Sequence, residues 1–424
     1  MTVDLRLRDP TPELLGLPWS QRLGDWDPTQ VTFRDLPVGP SRHLVRFVEA
    51  DGRLWALKDL PRRVAVHEYD VLRVLETREL SAVRAGGVVL QSDADAILVT
   101  AFLEGSWQHR RLLLRIPWNT TAHRARLFDA MAALLVELHR NGIYWGDCSL
   151  ANTLFVRDGQ RLQACLVDAE TAEYHPALSD GQRQLDLDVM EDNLAGGLLD
   201  VVAVRKEPPE AIERVITEVG EMRGRYEYLW DLLHDEPIVA RADAAGVGSR
   251  VRRLNEAGFA VDEVHLESAG GDDQSVRVKV AVAGRRFHAG RLRALTGLDV
   301  REGQATILVD DLLAHRDRME ASLGRAVSEE EAGWDWLVTV MRPGVERATA
   351  ALGGTGEGTQ AFCDLLEVRW LMSERAGHDV GDAAALEALA TRATPDAAAA
   401  NLAFVEEATT EMPVVDVGGG VGPT

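Results

Sequence analysis

A helix, a polar loop and a β-hairpin follow one another in the middle of this chain, and they restrict its fold more than any other feature. Residues 126–140 carry leucine and methionine at three- and four-residue steps, the spacing of one helix face. Asp147 and Asn152 lie on the loop that follows. Apolar runs within residues 153–167 are separated by an Arg-Asp-Gly-Gln turn, which predicts a hairpin, and Asp168 comes directly after it. This order predicts one polar site built from two aspartates and an asparagine.

The chemistry of these three side chains indicates phosphoryl transfer. Transfer of a phosphoryl group from ATP requires a carboxylate near the attacking hydroxyl and oxygen ligands for Mg²⁺. Asp147 is the candidate for the first role, and Asn152 and Asp168 are the candidate metal ligands. The five-residue spacing alone is common by chance, but its position between the helix and the hairpin favours a kinase-like site.

A lysine and a glutamate upstream complete the set. Lys58 is one of only three lysines in a chain with 46 lysine and arginine residues, and it lies in an apolar strand, residues 54–60. A compact ammonium on a flexible stem suits the α- and β-phosphates of a nucleotide. Glu68 lies on the apolar face of a predicted helix, residues 62–79, where a carboxylate needs a partner such as Lys58. Glu76 on the same helix is the alternative partner.

The first 235 or so residues resemble a bacterial protein-kinase-like domain of the lipopolysaccharide-kinase type, and residues 63–75 resemble the glutamate helix of that group. The whole chain is similar to an actinobacterial family in which this domain precedes a C-terminal domain of unknown function. The resemblance implies a two-lobed fold with ATP and Mg²⁺ between the lobes. It also implies the roles of phosphate clamp, lysine partner, catalytic base and two metal ligands for Lys58, Glu68, Asp147, Asn152 and Asp168 in that order. It leaves the hydroxyl acceptor unidentified.

Several positions depart from the pattern of protein kinases. No G-x-G-x-x-G precedes Lys58, and residues 36–42 are the one candidate for a loop that covers the phosphates. Trp145 and Gly146 stand where protein kinases usually carry histidine and arginine. Glu170 stands where they carry glycine, and it either adds a carboxylate to the metal site or faces solvent. These departures favour a slow enzyme, or the alternative of a pseudokinase or nucleotide-dependent scaffold, whereas the intact set of five polar residues favours a phosphotransferase.

Two further segments bear on the nucleotide and the acceptor. The apolar strand at 98–103 ends in Glu104-Gly105 and is the candidate hinge between the lobes, with Glu104 as a candidate nucleotide-binding residue; an ordinary buried strand is the alternative. Only about twenty residues separate Asp168 from the next apolar helical pattern. So short a segment suits a small-molecule, sugar or lipid acceptor better than a peptide, and it leaves a protein acceptor open.

The length of 424 residues predicts more than one domain. We expect an α+β fold in which a two-lobed protein-kinase-like domain carries an appended, smaller α+β domain. The boundary is expected in the polar, proline- and alanine-rich stretch at 234–248. The expected division is a small lobe at about 30–104 and a large lobe at about 105–235, together residues 1–235, then a C-terminal domain at 249–405 and a disordered tail at 406–424.

The C-terminal region carries its own periodic segments. They predict a helix at 250–257, strands at 263–267 and 275–287, and helices at 305–318, 329–352 and 360–374. Pro343-Gly344 should break or kink the middle helix. Trp334, Trp336 and Trp370 are expected in the core rather than in a binding cage. A protein partner for this domain remains open.

Charge and cysteine content exclude several classes of function. A net charge of −22 argues against a nucleic-acid surface or an anionic membrane as the main partner. Three cysteines without disulfide-like spacing fit a reducing compartment, and Cys148 is expected to be structural rather than a catalytic thiol. No membrane span and no zinc motif is predicted. We therefore expect a cytoplasmic protein.

Overall fold

The computed structural model describes residues 3–36, 42–115, 121–240, 243–269, 275–354 and 356–402. The candidate phosphate-covering loop at 36–42 lies outside the described residues except for its two ends. The tail expected at 406–424 lies wholly outside them. None of the described helices combines the length and the apolar character that crossing a bilayer requires.

A six-stranded antiparallel sheet and one long helix form the small lobe. The elements are β1 (Asp4–Leu7), α1 (Pro12–Leu15), β2 (Phe33–Arg34), β3 (Val45–Ala50), β4 (Arg53–Pro61), α2 (Arg62–Thr77), β5 (Ala85–Leu90) and β6 (Asp95–Ala101). The strand order is β1-β5-β6-β4-β3-β2. Strand β1, from the N-terminal segment, forms one edge of this sheet.

The alternation of side chains along β4 positions Lys58. Trp55 and Leu57 are buried on one face of the sheet, in a cluster with Trp19 and Trp26 from the N-terminal segment. Successive side chains of a strand point to opposite faces. Lys58 therefore projects from the other face, the one covered by α2.

The large lobe is mainly helical. Its elements are β7 (Ser106–Gln108), α3 (His109–Arg115), α4 (Thr121–Arg140), β8 (Ile143–Tyr144), β9 (Thr153–Asp158), β10 (Arg161–Leu166), β11 (Glu173–Tyr174), α5 (Asp180–Arg205) and α6 (Glu210–His234). Strands β7, β9 and β10 form one antiparallel sheet, and β8 pairs with β11. The predicted helix before the polar loop and the β9–β10 hairpin after it are both confirmed.

The C-terminal domain combines a three-stranded sheet with helices. Its elements are β12 (Ile238–Ala240), α7 (Ala244–Glu256), β13 (Ala260–Ser268), β14 (Ser275–Gly284), α8 (Phe287–Thr296), α9 (Glu302–Leu323), α10 (Glu329–Trp336), α11 (Arg342–Ala351), α12 (Gly358–Ala376) and α13 (Gly381–Thr391). A π-helical turn, Leu337–Met341, interrupts the predicted long helix just before Pro343. The predicted two-lobed fold with an appended α+β domain is confirmed.

The prediction that three tryptophans lie in the core is wrong for two of them. Trp336 is fully buried, but Trp334 and Trp370 are 72% and 58% exposed. Each helical residue turns by about 100°, so residues two apart lie on nearly opposite faces. Trp336 and Val368 lie in the core of the C-terminal domain. Trp334 and Trp370, each two residues away from one of them, therefore face away from that core.

The tip of the β9–β10 hairpin enters the C-terminal domain. The Asp158 carboxylate accepts hydrogen bonds from the backbone N–H groups of Gly303 and Gln304 at 2.9 and 2.8 Å, at the first turn of α9. The Gln360 side chain on α12 accepts from the Gly159 N–H at 2.9 Å and donates to the Gly159 carbonyl at 3.0 Å. The tip of the β9–β10 hairpin is therefore held by hydrogen bonds to α9 and α12 of the C-terminal domain.

Candidate active site

Lys58 is the centre of a cluster of carboxylates between the lobes. Its Nζ lies 2.8 Å from Asp168 Oδ2, 3.2 Å from Glu68 Oε2 and 3.8 Å from Glu170 Oε2. Asp168 follows the hairpin, Glu68 comes from α2 and Lys58 from β4, so three separate segments meet here. Glu170 faces this cluster and His43, 3.7 Å away, instead of pointing into solvent.

Glu68, and not Glu76, is the partner of Lys58. Glu76 forms ion pairs with Arg8 and Arg84 at the far end of α2. Burial raises the pKa of the Glu68 carboxyl to about 7, although the ammonium of Lys58 acts in the opposite direction. Burial likewise acts to lower the pKa of Lys58, but the surrounding carboxylates outweigh it and raise that pKa above its ordinary value. The pair is therefore nearly removed from water and sensitive to pH.

The Asp147 loop (residues 145–152) forms a second polar group. Asp147 Oδ2 accepts a hydrogen bond from Asn152 Nδ2 at 3.0 Å, and Oδ1 accepts one from Asn193 Nδ2 at 3.4 Å. Ser149 caps the short 3₁₀ turn that carries Asn152, since its Oγ accepts from the Asn152 N–H at 3.3 Å. Two asparagines thus orient the carboxylate of Asp147. No sequence pattern singles out Asn193, which lies within the long helix α5.

Asp186 on α5 holds the Asp147 loop from beneath. Its carboxylate accepts from the backbone N–H groups of Trp145 and Gly146, both at 2.7 Å, and pairs with His139 Nε2 at 3.0 Å. Asp186 is fully buried. Sequence reasoning missed this residue, although an aspartate between two leucines of a helical pattern was a usable signal because a buried charge must find partners.

The backbone of the Asp147 loop explains two departures from protein kinases. Gly146 has φ +77°, and a Cβ there would lie 3.0 Å from the carbonyl oxygen of Thr171. A side chain at this position would be both strained and crowded. Trp145 is fully buried, and its carbonyl accepts from Thr171 Oγ1 at 2.9 Å. Both residues are therefore explained by the packing of this loop.

The oxygen atoms of the Lys58 cluster fit a magnesium ion. Glu68, Asp168 and Glu170 each offer an oxygen, and these atoms lie within 4.8 Å of one another. The side-chain carbonyl of Asn152 is not used in the hydrogen bond to Asp147, because the amide nitrogen is the atom that donates there. Its backbone carbonyl accepts from the Val167 N–H at 3.1 Å, which ties it to the strand before Asp168. Carboxylate and amide oxygens are the ligands that Mg²⁺ takes in proteins.

Two other predicted positions lie apart from this chemistry. Glu104 is exposed in a turn and lines a separate cavity of about 290 Å³ with Trp55 and Phe102, so the structure does not bring it together with Lys58. Cys148 is fully buried, and burial followed by the charge of Asp186 raises the pKa of its thiol well above the ordinary value. A thiol of this kind stays protonated and is a poor nucleophile.

Two family models match the chain. Residues 51–207 match the lipopolysaccharide kinase (Kdo/WaaP) family, and residues 228–393 match a domain of unknown function (DUF4032). No curated protein matches the sequence. Among solved structures, WaaP in complex with acyl carrier protein aligns with 54% of this chain and 100% of its own, at 17% identity and a TM-score of 0.32. That alignment is too distant to support an argument.

The matched segment at 51–207 contains the Lys58 cluster and the Asp147 loop. Membership in a kinase family implies the use of a nucleotide and an acceptor that carries a hydroxyl group. The chain carries a kinase-like phosphotransferase domain of the lipopolysaccharide kinase family, followed by a domain of unknown function.

Proposed function

We propose that this chain transfers the γ-phosphoryl group of ATP to a hydroxyl group in a Mg²⁺-dependent reaction. The observation that carries the proposal is the position of Lys58, whose ammonium bridges Glu68 at 3.2 Å and Asp168 at 2.8 Å. An ammonium held in this way is directed toward the phosphates of a nucleotide between the lobes. A lysine that only stabilised the fold would be neutralised by Glu68 alone. It would not need the second carboxylate, Asp168, which follows the β9–β10 hairpin.

Asp147 is the proposed base for the attacking hydroxyl. Asn152 and Asn193 hold its two carboxylate oxygens, at 3.0 and 3.4 Å, so the group is oriented before any acceptor arrives. Asp147 is half-buried, which leaves room for an acceptor to approach. The hydroxyl oxygen of the acceptor would form a bond to the γ-phosphorus as the bond between that phosphorus and ADP breaks. The hydroxyl proton would pass to Asp147.

Asn152 and Asp168 are the proposed metal ligands, with Glu170 as an additional candidate. Asp168 and Glu170 offer oxygens within the group of carboxylates around Lys58, and the backbone carbonyl of Asn152 accepts from the N–H of Val167, the residue before Asp168, at 3.1 Å. Mg²⁺, when bound, supplies positive charge to the β- and γ-phosphates. Glu68 would remain the partner of Lys58, because α2 presents it at the buried side of the cluster.

The acceptor is proposed to be a small molecule, sugar or lipid rather than an extended peptide. Only residues 169–179 separate Asp168 from the start of α5 at Asp180, and two of them form β11. Such a short segment offers little backbone to hold a peptide. The description of the matched family, lipopolysaccharide kinase, points the same way, since a lipopolysaccharide is a lipid-linked sugar polymer and not a peptide.

Thermal unfolding with ATP, with and without Mg²⁺, tests the nucleotide site. A ligand at about a hundred times its Kd adds about 2.7 kcal/mol to the folded state, which is a shift of several degrees or less for a chain of this length. We expect a Mg²⁺-dependent shift that Asp168→Ala loses. Asp192→Ala is the matched control, because Asp192 is exposed on α5. Equal shifts in both variants would remove Asp168 from the site.

Phosphoryl transfer itself is tested with Asp147→Asn. We expect this variant to keep the ATP-dependent thermal shift and to lose transfer to a panel of sugar, lipid and small-molecule hydroxyls, measured by product analysis. Transfer at the wild-type rate would show that Asp147 is not the base.

A nucleotide-dependent scaffold is the second candidate, and one observation favours it. Trp334 and Trp370 expose large apolar surfaces on the C-terminal domain, and aromatic side chains are enriched where proteins bind one another. We propose that residues 1–235 form the kinase-like domain and that residues 249–405 form the domain that binds such a partner. A chain that binds ATP but phosphorylates no acceptor in the presence of cell extract would favour the scaffold over the enzyme.

A further inference from the structure

A cavity of about 510 Å³ lies between the kinase-like domain and the C-terminal domain, away from the Lys58 cluster. One wall is formed by α4 and the β9–β10 hairpin, and the other by the end of β14 and the start of α9. Ligand sites in proteins commonly have volumes of about 300–1,000 Å³ and often lie between domains. The cavity is therefore large enough for a small metabolite.

Two arginines from opposite walls of this cavity have guanidinium groups that are not fully used. Arg161, at the start of β10, lines this cavity, and among the described residues its guanidinium makes no hydrogen bond or ion pair. Arg285, just after β14, donates to the carbonyl of Ala257 through Nε at 3.2 Å, and within the described residues its two terminal nitrogens make no hydrogen bond. Burial and then the positive charge of Arg285 lower the pKa of Arg161, so the two cations repel each other.

The nearest carboxylates are engaged elsewhere. Glu302 accepts from the backbone N–H groups of His288 and Ala289, both at 2.9 Å, and from His288 Nδ1 at 2.7 Å. The two oxygens of Asp158 accept from the first turn of α9. Neither carboxylate forms an ion pair with Arg161 or Arg285 among the described residues, although the charges of both act to raise the pKa of Arg161.

The wall formed by α4 also contributes a carboxylate to this cavity. Glu137 on α4 lines the cavity, and burial raises the pKa of its carboxyl, while Arg285 and Arg140 act to lower it. Arg140 also lines the cavity, with a weak hydrogen bond to the Val282 carbonyl at 3.5 Å. Arg285 and Arg140 thus act on this glutamate, whereas Arg161 lines the same cavity without a hydrogen bond or ion pair among the described residues.

We propose that this cavity binds a small phosphate-bearing molecule, with Arg161 and Arg285 holding the phosphate from opposite walls. Planar guanidinium groups pair with phosphate through two parallel hydrogen bonds, and Arg161 has all of its donors available. The anion would relieve the repulsion between the two arginines. Because one arginine belongs to the hairpin and the other to the C-terminal domain, the ligand would bridge the two domains.

The proposal does not depend on the proposed catalytic function, and calorimetric titration of the full chain with pyrophosphate in metal-free buffer tests it. We expect Arg161→Gln and Arg285→Gln each to weaken binding about tenfold or more. Arg318→Gln is the matched control, since Arg318 is exposed on α9 outside the cavity and makes no ion pair among the described residues. Lys58→Met separates this cavity from the nucleotide site, which also attracts phosphates.

Support requires that the wild type, Lys58→Met and Arg318→Gln bind alike while both cavity variants bind more weakly. Absence of binding to the wild type would overturn the proposal. Loss of binding in Lys58→Met alone would assign the phosphate to the nucleotide site and would overturn it too. Arg161→Gln removes no hydrogen bond or ion pair among the described residues, so it keeps the test decisive if Arg285→Gln fails to fold.

Discussion

Replacing Asp186 by asparagine should release the Asp147 loop while leaving the volume of the side chain unchanged. The two carboxylate oxygens accept the N–H groups of Trp145 and Gly146 at 2.7 Å each, and one of them also pairs with His139. An asparagine offers one oxygen and one NH₂ group, so at least one buried N–H would face another donor. The loop would then shift, and Asp147 with it.

The expected cost follows from these contacts. An unsatisfied buried donor costs about 1–3 kcal/mol, and hydrogen bonds to a charged acceptor are roughly twice as strong as neutral ones. Together these give about 3–5 kcal/mol, a large share of the roughly 5–15 kcal/mol that stabilises a domain. For a unit of about 150–250 residues, this corresponds to a fall in Tm of roughly 6–20 °C.

Differential scanning calorimetry measures this shift, and Asp188→Asn is the matched control on the same helix. Asp188 is 65% exposed and pairs with Arg223 at 2.6 Å, and such surface pairs contribute about 0–1 kcal/mol. Turnover should fall in Asp186→Asn and stay near the wild-type value in Asp188→Asn. Equal changes in Tm for the two variants would refute the assignment of Asp186 as the residue that holds the loop.

Three further predictions concern pH, backbone strain and the contact between domains. Because the pKa of Glu68 is raised from 4.5 to about 7, its ion pair with Lys58 forms above about pH 7, so turnover should fall as pH decreases through 7 and Glu68→Gln should abolish that dependence. Because of the same raised pKa, Glu68 keeps its proton in the folded state at pH values where the unfolded chain has lost it. The contribution of Glu68 to the free energy of unfolding should therefore decrease as pH rises from 4.5 to 7. Calorimetry and turnover should thus show opposite pH trends, which checks both signs. Gly146→Ala should destabilise the chain by about 1–2 kcal/mol and lower turnover, because φ is +77°; an unchanged Tm would contradict the strain. Arg157→Met and Asp364→Leu, which separate a buried ion pair between the hairpin and α12, should each cost about 3–5 kcal/mol, and the double variant should cost less than their sum; additive effects would mean that the two do not interact.

The sequence was most informative where chemistry requires fixed spacing. Lys58, Glu68 and Asp168 come from three distant segments, yet the structure places them in one cluster, because a strand, a helix and a hairpin were each readable from periodicity. Their catalytic roles remain predictions. The choice between Glu68 and Glu76 was open in the sequence, since both lie on α2, and only the position of β4 against that helix decides it.

Other features could not be read from one sequence, for physical reasons. Asn193 and Asp186 act through the packing of α5 beneath the loop, and no local pattern encodes which residues a helix meets. Trp334 was misplaced because tryptophan is usually buried, whereas the helical phase set by Trp336 turns it outward. The hydrogen bonds of Gly159 with Gln360 join residues 201 positions apart, beyond the reach of any periodicity.

The contact of the hairpin tip with the C-terminal domain restricts which domains can be exchanged between related chains. A Cβ on Gly159 would lie 2.6 Å from the backbone oxygen of Gly303, so neither glycine can gain a side chain without separating the two domains. A kinase-like domain cut from this chain would expose the tip to water and lose its hydrogen bonds with α9 and α12. A chimera with another C-terminal domain would accept the hairpin only if the starts of α9 and α12 were exchanged together with it. A substitution at this contact in one domain must therefore be matched by a substitution in the other.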